Sequence, residues 1–129
     1  MTVAMRDRFG RVIDYLRMSV TADCNLNCIY CPGAQRRIPA PPADLLINVA
    51  QAAARLGFRK IRLTGGEPLL REDIVQLVSR LAAIPGLKEI CLTTNGTFLE
   101  QRAHQLAAVG THRIKTHVDP RKPGRGKLV

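Results

Sequence analysis

Lys60-Ile61-Arg62-Leu63-Thr64-Gly65-Gly66-Glu67-Pro68 is the stretch on which the fold turns. Its first five residues read as a short strand, and Gly65 to Pro68 break that strand into a turn. After the turn, Ile74, Leu77, Val78, Leu81 and Ala82 recur at helical spacing until Pro85-Gly86 stops them. The same strand-and-helix unit recurs on either side. Upstream, Leu16 to Thr21 reads as a strand, and Leu45, Leu46, Val49, Ala52, Ala53 and Leu56 mark a helix that opens at Ala43 and closes at Gly57. Downstream, Lys88 to Thr93 reads as a third strand, Phe98, Ala103, Leu106 and Ala107 as a third helix ending at Gly110, and Arg113 to Val118 as a fourth strand.

Strands alternating with helices imply βαβ units, right-handed crossovers and a parallel sheet. A closed eightfold barrel needs about 250 residues, and this chain has 129. The expected fold class is therefore α/β, a partial (β/α) barrel of about four parallel strands and three helices. In such folds the loops at the carboxyl ends of the strands build the site. Three motifs fall there: a cysteine cluster after strand one, the Gly-Gly-Glu-Pro turn after strand two, and Thr94-Asn95-Gly96 after strand three.

The cluster, Cys24-Asn25-Leu26-Asn27-Cys28-Ile29-Tyr30-Cys31, holds three of the four cysteines in a CxxxCxxC spacing. Thiolates are soft ligands suited to iron-sulfur clusters or zinc, and three of them leave a fourth coordination position open for chemistry. On these residues alone, the alternatives are a zinc site completed by His104, His112 or His117, and a redox-sensitive thiol group. Cys91, in Glu89-Ile90-Cys91-Leu92, reads as a small packing residue of a buried strand.

With these segments, and with Asp7-Arg8-Phe9-Gly10-Arg11, Tyr15 to Thr21 and Lys60 to Arg71, the chain resembles the radical S-adenosylmethionine (SAM) enzymes. Within them it is most similar to the amino-terminal part of the molybdenum cofactor biosynthesis protein A family, the GTP 3',8-cyclases. The resemblance covers roughly the first 110 residues. It implies a 4Fe-4S cluster on Cys24, Cys28 and Cys31, with SAM chelating the open iron. It also implies SAM contacts from Tyr30, Gly65, Gly66, Glu67, Asn95 and His117, the last aligned with a serine of the family. Nucleotide contacts, to GTP or a relative of it, fall on Arg17, Arg62, Arg71 and Thr93. Glycines without side chains let backbone approach the methionine of SAM, Glu67 can attract its ammonium, and the arginine fork suits phosphate.

The resemblance further implies an external electron donor and a carboxyl-terminal half with a second three-cysteine set that grips the guanine. Only Cys91 remains for such a set, so complete GTP cyclisation by these 129 residues alone is not expected. A separate chain supplying the missing half is one possible partner. The competing reading is a non-catalytic iron-sulfur or zinc-binding module.

Charge and composition set further bounds. Twenty Lys+Arg against ten Asp+Glu give a formal +10, a field that favours anions. Residues 112 to 129 carry Arg113, Lys115, Arg121, Lys122, Arg125 and Lys127 against Asp119, which is +5 of that excess. Aromatics at 4% with no Trp leave few stacking platforms, which argues against nucleic acid as a partner. The first residues lack the apolar core of a signal peptide, and no 18-residue apolar run occurs, so a cytoplasmic protein with no membrane partner is expected. The domain reading is a core over residues 1–119 and a basic, disordered tail over 120–129, where Pro, Gly and charge replace all periodicity.

Overall fold

The computed structural model describes residues 4–22 and 39–116. Six strands and three α-helices follow in order: β1 (Met5–Arg6), β2 (Val12–Ile13), β3 (Tyr15–Ser19), α1 (Ala43–Arg55), β4 (Lys60–Thr64), α2 (Ile74–Ala82), β5 (Glu89–Thr94), α3 (Leu99–Ala108) and β6 (Arg113–Thr116). A 3-10 turn, Pro68–Leu70, lies between β4 and α2. Strands β3, β4, β5 and β6 form one parallel sheet in that order, and β1 and β2 form a separate antiparallel hairpin. The expected α/β class, four parallel strands and three helices, is what the chain adopts.

Register explains how one sheet serves two purposes. Arg17 pairs with Arg62, Arg62 with Cys91 and Cys91 with Arg113, whereas Met18 pairs with Leu63, Leu63 with Leu92 and Leu92 with Ile114. Because successive side chains point to opposite faces, one rung is polar and the next apolar. The apolar rungs, Met18, Ile61, Leu63, Ile90 and Leu92, join Leu46, Ile47 and Ala50 of α1, Ile74, Leu77, Val78 and Leu81 of α2 and Leu106 of α3 in one core. The helices thus cover a single face.

Local signals end the elements. Beyond α1, Gly57 takes a φ of +98°, its N–H donates to Ala54 O at 3.1 Å and the N–H of Phe58 reaches back to Ala53 O at 3.0 Å. That is a Schellman closure, and a glycine meets its left-handed requirement without steric cost.

Some boundaries differ from the sequence reading. Strand β3 starts at Tyr15 and ends at Ser19, rather than running from Leu16 to Thr21. Val20 and Thr21 are buried, and they bond to the end of β4 and the turn after it: the N–H of Val20 donates to O of Thr64, the last residue of β4, and Thr21 O accepts from the N–H of Gly66. Strand β5 runs from Glu89 to Thr94, one residue later at each end than expected. The expected final strand reached Val118, but residues 117 and 118 lie outside those described, as does the 120–129 tail. The β1–β2 hairpin was not anticipated. Its two-residue strands are exposed and carry no periodicity, and the turn between them is closed by Asp7, which accepts from the N–H groups of Phe9 (2.8 Å) and Arg11 (3.0 Å). These hydrogen bonds hold the Asp7 carboxyl below its ordinary pKa, led by that from the Arg11 backbone.

Candidate functional site

The polar face of the sheet carries two charge arrangements. Near the amino ends of the strands a carboxylate offsets part of the positive charge, Glu89 pairing with Arg113 at 3.1 Å and with Lys60 at 3.8 Å. An open pocket of about 400 Å³ runs from Tyr15, at the start of β3, past Arg17 and Arg62 in mid-strand to Thr93 and Lys115 near the carboxyl ends of β5 and β6. Three of these five are cations and none is a carboxylate, so the pocket presents a positive field to solvent. Tyr15 and Thr93 hold the guanidinium of Arg62: Nε donates to the phenolic oxygen of Tyr15, and Nη1 donates to Thr93 Oγ1 at 3.2 Å. The same guanidinium lies 5.9 Å from the Tyr15 ring centroid, within cation–π range. A planar fork fixed in this way is pre-organised for phosphate oxygens.

The sequence reading included Arg17, Arg62 and Thr93, and the fold brings them together. It missed Tyr15 and Lys115. Both were available from alternation, since Tyr15 stands two residues before Arg17 and Lys115 is the register partner of Thr93.

A second constellation occupies the carboxyl edge of β4 and β5. Glu67 is only 1% exposed, and its carboxylate is saturated by the protein. Oε1 accepts from the N–H of Asn95 and the hydroxyl of Thr94, both at 2.7 Å, and Oε2 accepts from the N–H of Leu69 at 2.9 Å. A buried carboxylate with these partners ties the Gly-Gly-Glu-Pro turn to the end of β5. Glu67 was expected to face an ammonium group; among the described residues its contacts are backbone N–H groups and one hydroxyl.

Gly65 has a steric reason of its own. Its φ is +148°, and a Cβ built there would stand 2.4 Å from Thr21 O. The turn after β4 thus presses against the chain leaving β3, and only glycine permits that approach. Gly66 seals the contact through its N–H, which donates to Thr21 O at 2.8 Å. The glycines bring together the roots of two site loops.

Arg71 departs from expectation. It does not line the pocket with Arg17 and Arg62 but is drawn to the helix-side edge, its side chain only 8% exposed. Its fork pairs with both carboxylate oxygens of Asp73, at 2.6 and 3.2 Å, and Nη1 donates to Val20 O at 2.9 Å and Pro41 O at 2.6 Å. A guanidinium engaged with those four oxygens is not presented to the pocket.

Cys91 is buried, as expected, but it belongs to the polar register and not to the apolar core. Its Sγ lies 3.4 Å from Glu89 Oε1, and burial, then the hydrogen bond to that carboxylate, raise its pKa and keep it a neutral thiol. Among the histidines, His112 lies at the amino end of β6, opposite the edge where the cysteine segment leaves β3, and its Nδ1 accepts from the N–H of Ile90 at 3.0 Å. His104 is exposed on α3. Cys24, Cys28, Cys31, Tyr30 and His117 lie outside the described residues, and the described ones hold no group of three metal-ligating side chains.

Comparison with known proteins fits this geometry. A family model described as the radical SAM superfamily matches residues 18–120. The chain belongs to the radical SAM superfamily. Membership implies SAM and an iron-sulfur cluster as cofactors. Among curated relatives, a GTP 3',8-cyclase of Pseudomonas savastanoi pv. phaseolicola is 44% identical over 126 residues, covering 94% of this chain and 38% of the relative. One from Clostridium perfringens is 41% identical over 130 residues, covering 97% of this chain and 40% of the relative. This radical SAM chain therefore spans about two fifths of the length of the curated relatives it matches. Among solved structures, BtrN in an open conformation superposes with a TM-score of 0.67 at 20% identity, covering 92% of this chain and 56% of BtrN. BtrN in complex with AdoMet and 2-DOIA gives the same score at 22% identity. At that identity the likeness speaks for the radical SAM fold. No helix of the described residues is long and apolar enough to cross a membrane.

Proposed function

We propose that this chain forms the cluster-, SAM- and triphosphate-binding part of a GTP 3',8-cyclase of molybdenum cofactor biosynthesis. The observation that carries the substrate class is the cation trio, Arg17, Arg62 and Lys115, lining a pocket on the open face of the sheet with no carboxylate among its described lining residues. A polyanion such as a nucleoside triphosphate matches that field, with Arg62 pre-oriented by Tyr15 and Thr93 as its central contact. The curated cyclases that share over 40% of its residues supply the nucleotide's identity.

The donor set fits the cofactor. Three soft thiolates within eight residues, directly after β3, suit a 4Fe-4S cluster that keeps one iron for SAM, with Cys24, Cys28 and Cys31 as ligands. Such a cluster, when reduced by an external donor, supplies the electron that cleaves SAM to methionine and a 5'-deoxyadenosyl radical. Around it the protein binds and orients. Tyr30, the Gly65-Gly66 backbone, Asn95 and His117 are the proposed SAM contacts, while Glu67 acts through its hold on Leu69, Thr94 and Asn95. The site of action is proposed to be the cytoplasm.

Hydrogen abstraction needs the reacting atoms held about 3 to 3.5 Å apart. Contacts to the triphosphate alone do not fix a ribose so closely, and the family resemblance assigns guanine anchoring to a second three-cysteine set. The expected behaviour of the reconstituted chain is slow SAM cleavage uncoupled from GTP, without cyclised product. The test is anaerobic reconstitution, iron and sulfide analysis, and chromatography for 5'-deoxyadenosine. About four irons with 5'-deoxyadenosine formation support the reading, whereas a full cluster without it favours a non-catalytic iron-sulfur module. Zinc in place of iron in protein purified from the native cell would overturn the cluster assignment.

A further inference from the structure

The side chain of Arg71 is only 8% exposed and does not line the pocket, and its partners are unusual in where they lie along the chain. Val20 precedes the cysteine-bearing segment and Pro41 follows it. A single nitrogen, Nη1, donates to both carbonyls, at 2.9 and 2.6 Å, so the two oxygens lie no further apart than those bonds laid end to end. Val20 and Pro41, on either side of residues 23–38, are therefore held close together. The arginine is itself immobilised. Its N–H donates to Pro68 O at 3.1 Å at the end of the 3-10 turn, its carbonyl accepts from the N–H of Ile74, and Asp73 grips Nε and Nη2 so that Nη1 faces the two carbonyls.

We propose that Arg71 is a positioning residue that clamps the two roots of the cysteine-bearing segment, with Asp73 orienting its guanidinium. A closed base lowers the conformational entropy lost when the three thiolates converge on one centre. The same root is packed against Gly65, where a built Cβ would stand 2.4 Å from Thr21 O. Lysine cannot substitute, because one ammonium does not pair with a carboxylate bidentately while donating to two carbonyls. The consequence for the cluster rests on the function proposed above; the clamp itself does not.

The test uses the full chain as wild type, Arg71→Lys and Asp73→Asn, first without metal and then reconstituted with iron and sulfide. Hydrogen exchange followed by mass spectrometry should show peptides within residues 21 to 40 exchanging about tenfold faster in Arg71→Lys, and less so in Asp73→Asn, while β4 and β5 peptides keep their protection. Reconstituted Arg71→Lys should lose iron to a chelator several-fold faster than wild type. Equal acceleration in β4 and β5, wild-type exchange in the 21 to 40 peptides of Arg71→Lys, or no protection of those peptides in the wild type would each overturn the clamp. Faster exchange with unchanged iron release would overturn its role toward the cluster. A wild type that assembles no cluster but shows the exchange pattern would refute the proposed function and leave the clamp standing.

Discussion

The two faces of the parallel sheet are built from alternate residues of the same four strands, yet they differ in almost every physical respect. Leu63 is fully buried beneath α1 and α2, while its neighbour Arg62 reaches across open space to Tyr15 and Thr93. Parallel sheets are ordinarily covered on both faces by apolar layers. Here one face carries the core, and the other carries ion pairs to Glu89 and a cationic pocket without a carboxylate in its lining. Folding energy and binding chemistry are thereby separated by a single residue step, so each can be altered with little effect on the other.

The largest expected effect comes from the apolar face. Leu63→Ala should cost about 2 to 5 kcal/mol of stability, read from the urea midpoint, because the cavity would open in the centre of the core. Arg62→Ala, one residue away, should cost about 1 kcal/mol, because its two hydrogen bonds lie on the solvent-accessible face where water takes their place. Comparable losses from the two would break the division between faces.

Glu67→Ala comes next and tests the edge where the faces meet. It leaves the N–H groups of Leu69 and Asn95 and the hydroxyl of Thr94 without their carboxylate, and a stranded buried group costs about 1 to 3 kcal/mol. A urea midpoint equal to wild type would show that water replaces the carboxylate freely.

On the polar face the effect should appear in binding. Arg62→Ala should weaken GTP binding about tenfold or more, since hydrogen bonds to charged groups contribute about 1.5 to 3 kcal/mol, and GMP should bind much less tightly than GTP to the wild type. Titration calorimetry that finds equal affinities for GTP in wild type and variant would remove the pocket from the nucleotide site.

The smallest effect lies outside both faces, in the β1–β2 turn. The Asp7 carboxyl is depressed below its ordinary value of 3.8, so its contribution to the turn is present above that value and is lost as pH falls through the lower folded value. Amide chemical shifts of Phe9 and Arg11 should report that acid transition. In Asp7→Asn the transition should vanish, with the sheet unchanged; persistence would assign it to another carboxyl.

Much of this was legible from residue order. Helical spacing in α1 and α2, the closing glycines Gly57 and Gly110, and short β-branched runs before each turn are local signals, and local signals fix element type. The grouping of Arg17, Arg62 and Thr93 followed from the family resemblance. The β1–β2 hairpin was not legible, because strands of two exposed residues leave no period to detect. Strand ends were off by one or two residues, because where a ladder stops depends on what the neighbouring strand offers, as with Val20 and Thr21 bonding to the end of β4 and the turn after it.

By itself, then, the sequence determined the alternation of strands and helices, the parallel class and the motifs at the carboxyl ends, since each depends on spacing within one segment. Tertiary structure alone decided the use of individual polar side chains. Arg17, Arg62 and Arg71 are the same residue type in neighbouring motifs, yet two line the pocket while the third is buried against Val20, Pro41 and Asp73. Glu67, read as a partner for the ammonium of SAM, accepts from Leu69, Thr94 and Asn95. A long side chain goes wherever unsatisfied backbone groups and charges are brought within its reach, and which groups those are is settled only when distant segments meet.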